Sequence, residues 1–100
     1  MYLPKIYENF SKEFPEVISG YKKLGVSCRN AGPLDDKTQN LVKLGISLGV
    51  NSRGGVMSST RKALESGATR EEIVHAVMLG LTTTGFPNMI AALGDRKSVV

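Results

Sequence analysis

Two serine patterns, a single cysteine, a single histidine and a glycine-rich joint are the places where this chain could do chemistry. Gly45-Ile46-Ser47-Leu48-Gly49 has the G-x-S-x-G form of a nucleophile elbow. That device needs a strained strand-to-helix turn, whereas these five residues sit inside a helical run. Ser59-Thr60-Arg61-Lys62 has the S-x-x-K form, in which a lysine can activate a serine. The companion motifs of that chemistry are missing, and a solvated helix face accounts for the pattern equally well. Cys28 can serve as a peroxide-reducing thiolate if it is exposed beside a cation, and Lys22, Lys23 and Arg29 are near in sequence. It also falls on an apolar helical stripe, where a cysteine acts as a small inert hydrophobe. His75 is the one side chain of a type that titrates near neutrality, so it is either a general base in a pocket or an ordinary helix residue. Asn51-Ser52-Arg53-Gly54-Gly55 opens a helix. Free amides, two residues without bulk and an arginine make Arg53, Gly54 and Gly55 an anion seat, or the stretch is a plain loop-to-helix joint. Thr82-Thr83-Thr84 either lines a pocket or bonds back to helical carbonyls and ends the helix.

The rest of the composition narrows the class. One hundred residues, 41% hydrophobic and 22% charged, predict a single globular domain over 1–100. One cysteine leaves no intrachain disulfide or dithiol, and one histidine leaves no zinc set of the His/Cys type; no metal and no cofactor are expected. The net charge of +4 is spread without a run of four like charges, which argues against a nucleic-acid partner. No apolar run approaches the ~20 residues of a membrane span. Met1-Tyr2-Leu3-Pro4-Lys5 lacks the basic-then-apolar order of a signal peptide, so a cytoplasmic protein without a membrane partner is expected.

The elements that must position these residues read as short helices. Strong stops fall at Gly32-Pro33, Gly67 and Gly85-Phe86-Pro87, and no stretch alternates with period two, so the class is all-α with about six helices. The first runs from Pro4 to Phe14, and the second starts at Pro15 with Val17, Tyr21, Leu24 and Cys28 on one stripe. Asp35 or Asp36 caps a third that extends to about Val50, with Leu41, Leu44 and Leu48 inward, Val42 and Ile46 broadening the stripe, and Gly45 and Gly49 open to a close neighbour. Asn51 or Ser52 caps a fourth that ends at Ser66-Gly67, with Val56, Thr60, Ala63 and Leu64 inward. Thr69-Arg70-Glu71-Glu72 is a capping box that starts a fifth, which carries Ile73, Val74, Ala76, Val77, Gly80 and Leu81. A last helix runs from near Pro87 to Gly94, and Asp95 to Val100 should fray. Aromatic residues crowd the first 21 positions, and only Phe86 follows them. Aromatic-poor helix layers of this kind complete their core against another subunit, so a homo-oligomer is expected.

Three segments, in order, carry a family resemblance. Leu34-Asp35-Asp36-Lys37-Thr38-Gln39-Asn40-Leu41-Val42-Lys43-Leu44 resembles the L-D-x-K-T-x-E-L-I-x-L segment of carboxymuconolactone decarboxylase-like proteins, whose superfamily includes the AhpD-type alkylhydroperoxidases. Ala63-Leu64-Glu65-Ser66-Gly67-Ala68-Thr69-Arg70-Glu71-Glu72-Ile73 is similar to that family's A-L-x-x-G-A-T-x-E-E-I, and Gly85-Phe86-Pro87-Asn88-Met89-Ile90-Ala91-Ala92-Leu93 to its G-F-P-x-x-x-A-A-L. The resemblance divides the domain into N-terminal helices, 1–32, and a family core, 33–94. It implies an AhpD-like helical subunit in a trimer or hexamer. It also implies an active site written E-x11-C-x2-C-x3-H, in which one thiolate attacks a hydroperoxide, the second cysteine resolves the sulfenic acid, and the acid and histidine relay protons. Aligned on this chain, those four positions hold Asn40, Ser52, Gly55 and Ser59. The decarboxylase-type relatives rely on a histidine in the same helix, where Met57 and Ser59 now stand. The expected protein is therefore a non-redox or degenerate member that acts on or binds a small organic acid or lactone through His75 and Ser59. The alternatives are a non-catalytic binding or scaffold oligomer, and one-cysteine peroxidation through Cys28.

Overall fold

The computed structural model describes residues 5–95. Among them are six α-helices and one 3₁₀ turn, and no strand: α1 (Lys5–Glu13), α2 (Pro15–Asn30), α3 (Asp36–Gly49), α4 (Arg53–Glu65), α5 (Arg70–Met78), the turn Leu79–Thr82, and α6 (Phe86–Asp95). The class is all-α, as the punctuation predicts. Pro4 and residues 96–100, assigned above to a helix start and a fraying tail, lie outside the described residues. The chain forms two units, Met1–Pro33 and Leu34–Val100.

In the first unit, α1 and α2 carry no buried residue. The rings of Phe10 and Phe14 meet at 5.2 Å with a 40° tilt across the α1–α2 joint. Pro15 takes the first helical position of α2, where its missing N–H would have had no partner.

In the second unit, α3, α4 and α5 each start where a side chain captures an orphan amide. Asp35 accepts from the Thr38 amide at 2.8 Å, and Ser52 from the Gly55 amide at 3.1 Å. Thr69 and Glu72 form the full capping box, with the Glu72 amide donating to Thr69 Oγ1 at 3.0 Å and the Thr69 amide to Glu72 Oε1 at 2.8 Å. The stops are equally local. Gly67 and Gly85 take positive φ values of 97° and 99°, which residues with a Cβ rarely adopt. The core is Leu44, Leu48, Val56, Ala63, Ala68, Ile73, Val77 and Met89.

Several expected faces differ. Leu64 is 44% exposed rather than inward, and Val42 and Ile46 are exposed flanks of the α3 stripe. Gly45 has no neighbour within 4 Å of where a Cβ would lie, so no described backbone approaches there. The close approach occurs at Gly80, whose Cβ would stand 2.5 Å from Leu48 Cδ2. That contact accompanies the change from α5 to the 3₁₀ turn at Leu79, so Gly80 and Leu81, expected on the fifth helix, lie in the turn instead. The Gly80 carbonyl there accepts from the amides of Thr83, Thr84 and Gly85.

Glu72 also joins α5 to α3, through Lys37 Nζ at 3.0 Å. The Thr69 amide first, and the Lys37 ammonium second, hold the Glu72 carboxyl below its ordinary value of 4.5. A lowered carboxyl stabilises the fold fully above its unfolded pKa and loses that contribution as pH falls through the folded value. A Glu72→Gln variant keeps one oxygen to accept from the Thr69 amide and loses the charge together with the acceptor that Lys37 uses. Its melting temperature should lie below that of the unmodified protein at neutral pH. The gap should close as pH falls below about 4.5. A gap that persists undiminished into stronger acid would show that the charge contributes nothing.

Candidate functional site

The four family positions lie along one face of α4 and the start of α3. Ser52, Gly55 and Ser59 follow at i, i+3 and i+7, and that face runs along α3. At its N-terminal end Ser52 is the cap of α4, its hydroxyl committed to the Gly55 amide. Gly55 faces α3 so closely that a Cβ would stand 2.7 Å from Ser47 Oγ and 2.8 Å from Ser52 Oγ. Ser59, in the middle, is only 8% exposed. At the far end the Asn40 amide donates to Ser66 Oγ at 2.7 Å and to the Lys62 carbonyl at 3.3 Å. Helical rise separates Ser52 from Lys62 by about 15 Å, so Asn40 and Ser52 serve opposite ends of the same interface.

The remaining candidates scatter. Gly45-Ile46-Ser47-Leu48-Gly49 lies wholly within α3, and Ser47 packs against Gly55 instead of standing on a turn. Of the amides at Arg53, Gly54 and Gly55, the Gly55 amide is already taken by Ser52, while a Cβ on Gly54 would meet nothing within 4 Å. Cys28 is exposed on α2 in the first unit, and the stripe that carries it is exposed as well. Among the described residues no three His, Cys, Asp or Glu side chains gather as metal ligands would. No described helix is long and apolar enough to cross a membrane.

His75 does reach a cavity. It sits about 160° around α5 from both Ile73 and Val77, the buried residues of that helix, and is exposed. A groove of about 550 Å³ opens between α3 and the α5–3₁₀ segment, with Leu41, Val42, Gly45, Ala76 and Leu79 as its apolar lining and His75 at its edge. Thr38, Thr83 and Thr84 add hydroxyls, and Glu72 lies one turn from His75. Thr84 does both things proposed for its triplet, donating to the Gly80 carbonyl at 3.1 Å and lining the groove. Ser59, buried on α4, is not part of it. Spacing alone singles out neither Thr38 nor Leu79, and it places Val42 only on the broadened apolar stripe of α3. The one available signal was Gly45, a missing side chain on an otherwise apolar face, which opens the groove floor.

The helical order and the packing of α3 against α4 define an all-α fold of the carboxymuconolactone decarboxylase type. Residues 12–94 match the carboxymuconolactone decarboxylase family, and the chain belongs to that family. It is 32% identical over 90 residues to an uncharacterized protein of Methanocaldococcus jannaschii, covering 90% of this chain and 74% of that protein. It also superposes on the crystal structure of an apo carboxymuconolactone decarboxylase family protein from Legionella pneumophila with a TM-score of 0.83. That match covers 95% of this chain and 85% of the other at 23% identity, a likeness of fold.

Proposed function

We propose that this family member binds a small organic acid or lactone in the groove between α3 and α5, with His75 as its recognition residue and without dithiol peroxide chemistry. The observation that carries the reading is the placement of the chain's single imidazole at the edge of a mostly apolar groove. A volume of about 550 Å³ suits a small molecule, since such sites span roughly 300–1,000 Å³ and combine an apolar lining with a few polar groups. An imidazole can give one hydrogen bond and take another, so it can meet either a carboxylate or a lactone carbonyl. Glu72 has one oxygen on Thr69 and the other on Lys37, which leaves it poorly placed to trade protons with His75. This favours binding over acid–base turnover. Dithiol chemistry lacks its parts, because Ser52 and Gly55 stand where the resemblance places the two cysteines.

A titration of small carboxylic acids and lactones, followed by the His75 ring resonances, tests the reading. His75→Ala should weaken the binding of a hit about ten- to hundredfold, the equivalent of one lost hydrogen bond to a charged group. Cys28→Ser should leave it unchanged. Binding that ignores His75→Ala, or hydroperoxide turnover that requires Cys28, would overturn the proposal.

A further inference from the structure

The groove beside His75 is short of what a carboxylate needs. An ionised carboxylate has about four lone-pair sites to fill and a charge to offset, whereas a ketone, ester or lactone carbonyl oxygen has two sites and no charge. Leaving that charge unpaired against apolar surface costs far more than burying a neutral carbonyl. Among the described residues that line the groove, none is a lysine or an arginine. The fixed charge in that lining has the wrong sign. Glu72, one turn from His75, is itself a carboxylate, and the ammonium of Lys37 is bonded to it at 3.0 Å. A ligand carboxylate would therefore meet a like charge whose cation is already engaged.

Neutral donors are few as well. Three threonines bring hydroxyls to the groove, but two of their protons are committed. Thr84 donates to the Gly80 carbonyl at 3.1 Å. The Thr38 hydroxyl donates to the Asp35 carboxylate, a bond that helps hold that carboxyl below its ordinary range. Thr83 and His75 are left, and a hydroxyl and a neutral imidazole give one hydrogen bond each. Two donors match the two lone pairs of one carbonyl oxygen and fall short of four. Elsewhere Leu41, Val42 and Leu79 offer only apolar surface, and Gly45 leaves the floor flat, since a Cβ there would meet nothing within 4 Å. That surface suits a short alkyl chain.

We propose that the groove selects an uncharged carbonyl compound with a short apolar chain over the corresponding carboxylate, with His75 and Thr83 as donors to the carbonyl oxygen and Glu72 as the group that repels the acid. This rests on the groove being the ligand site, and it narrows the two ligand classes proposed for that site to one. The discrimination comes from a repulsive element, Glu72, as much as from an attractive one.

A matched pair of ligands tests this. γ-Octalactone and the open-chain hydroxy acid formed by its hydrolysis share one carbon skeleton and differ by a water and a charge. Both are titrated at about pH 8, where an ordinary imidazole is uncharged, and followed by the His75 ring resonances. The lactone should bind at least about tenfold more tightly. Glu72→Gln removes the like charge and releases Lys37, so it should raise the affinity for the hydroxy acid about tenfold and leave that for the lactone within about twofold. Val42→Lys, at a half-exposed position on the groove wall, supplies the missing cation without touching the α5 cap and should act in the same direction. A hydroxy acid that binds the unmodified protein as tightly as the lactone would overturn the selectivity while leaving the groove as a ligand site. So would an unchanged preference in both variants. If neither compound moves the His75 ring, the selectivity and the groove reading both fall.

Discussion

Replacing Leu44 by alanine should lower the unfolding free energy by about 3–5 kcal/mol, whereas Val42→Ala, two residues away on the same helix, should cost less than about 1 kcal/mol. Leu44 is fully buried at 0% exposure, and Val42 is 46% exposed on the wall of the groove. Leu44 sits on α3, the helix that packs against α4, α5 and α6 alike, so the space left by its side chain opens at the centre of the unit. The residues around it, among them Leu48, Ile73 and Val77, are held by packing against several helices and cannot all collapse into the gap. Against the roughly 5–15 kcal/mol of a typical domain, a loss of this size leaves a marginal protein. Urea denaturation of the two variants reads the difference directly. A Leu44→Ala cost under about 1 kcal/mol would show that α3 is not the centre of the core. The same comparison bears on the site, because Val42→Ala enlarges the groove without touching the core. It should change ligand preference with little effect on stability.

What the sequence makes legible here is chemistry that acts within four residues. Asp35, Ser52 and the Thr69–Glu72 box start their helices by capturing amides three positions on, and the glycines at 67 and 85 end segments through positive φ. None of this needs a partner element. The readings that differ from the structure all depend on one. Spacing shows that Gly45 and Gly49 share a face of α3, but not which face meets a neighbour. The close approaches fall instead at Gly55, against Ser47, and at Gly80, against Leu48. Leu64 fits an inward stripe by period and lies exposed because no described helix covers that side of α4. His75 was legible as a candidate from its residue type. Its groove was not, because Leu41, Val42 and Gly45 come from a helix about thirty residues earlier in the chain. The family segments carried the fold correctly because they record, as residue order, the packing that spacing alone does not.

Gly55→Ala should destabilise the protein by about 1–3 kcal/mol, although alanine at an ordinary helical position stabilises by up to about 1 kcal/mol relative to glycine. The reversal comes from α3. The new Cβ would stand 2.7 Å from Ser47 Oγ and 3.1 Å from Ser47 Cβ, so rotating the hydroxyl away relieves only part of the crowding. It would also stand 2.8 Å from Ser52 Oγ, and moving that hydroxyl gives up the α4 cap, worth about 1 kcal/mol. In a Ser47→Gly background the same substitution should cost less, with a coupling of about 1 kcal/mol between the two positions in a double-mutant cycle. Additive effects would mean that Ser47 is not what excludes a side chain at position 55. The consequence for chemistry is direct. The position that the family resemblance gives to the second cysteine is one where this backbone has no room for a Cβ, and the position of the first is spent capping the helix. Ser52→Cys/Gly55→Cys would therefore have to displace Ser47 and uncap α4 before two sulfurs could face each other. Reinstating a dithiol here requires rebuilding the α3–α4 contact, and two substitutions alone should yield a less stable protein and no peroxidase.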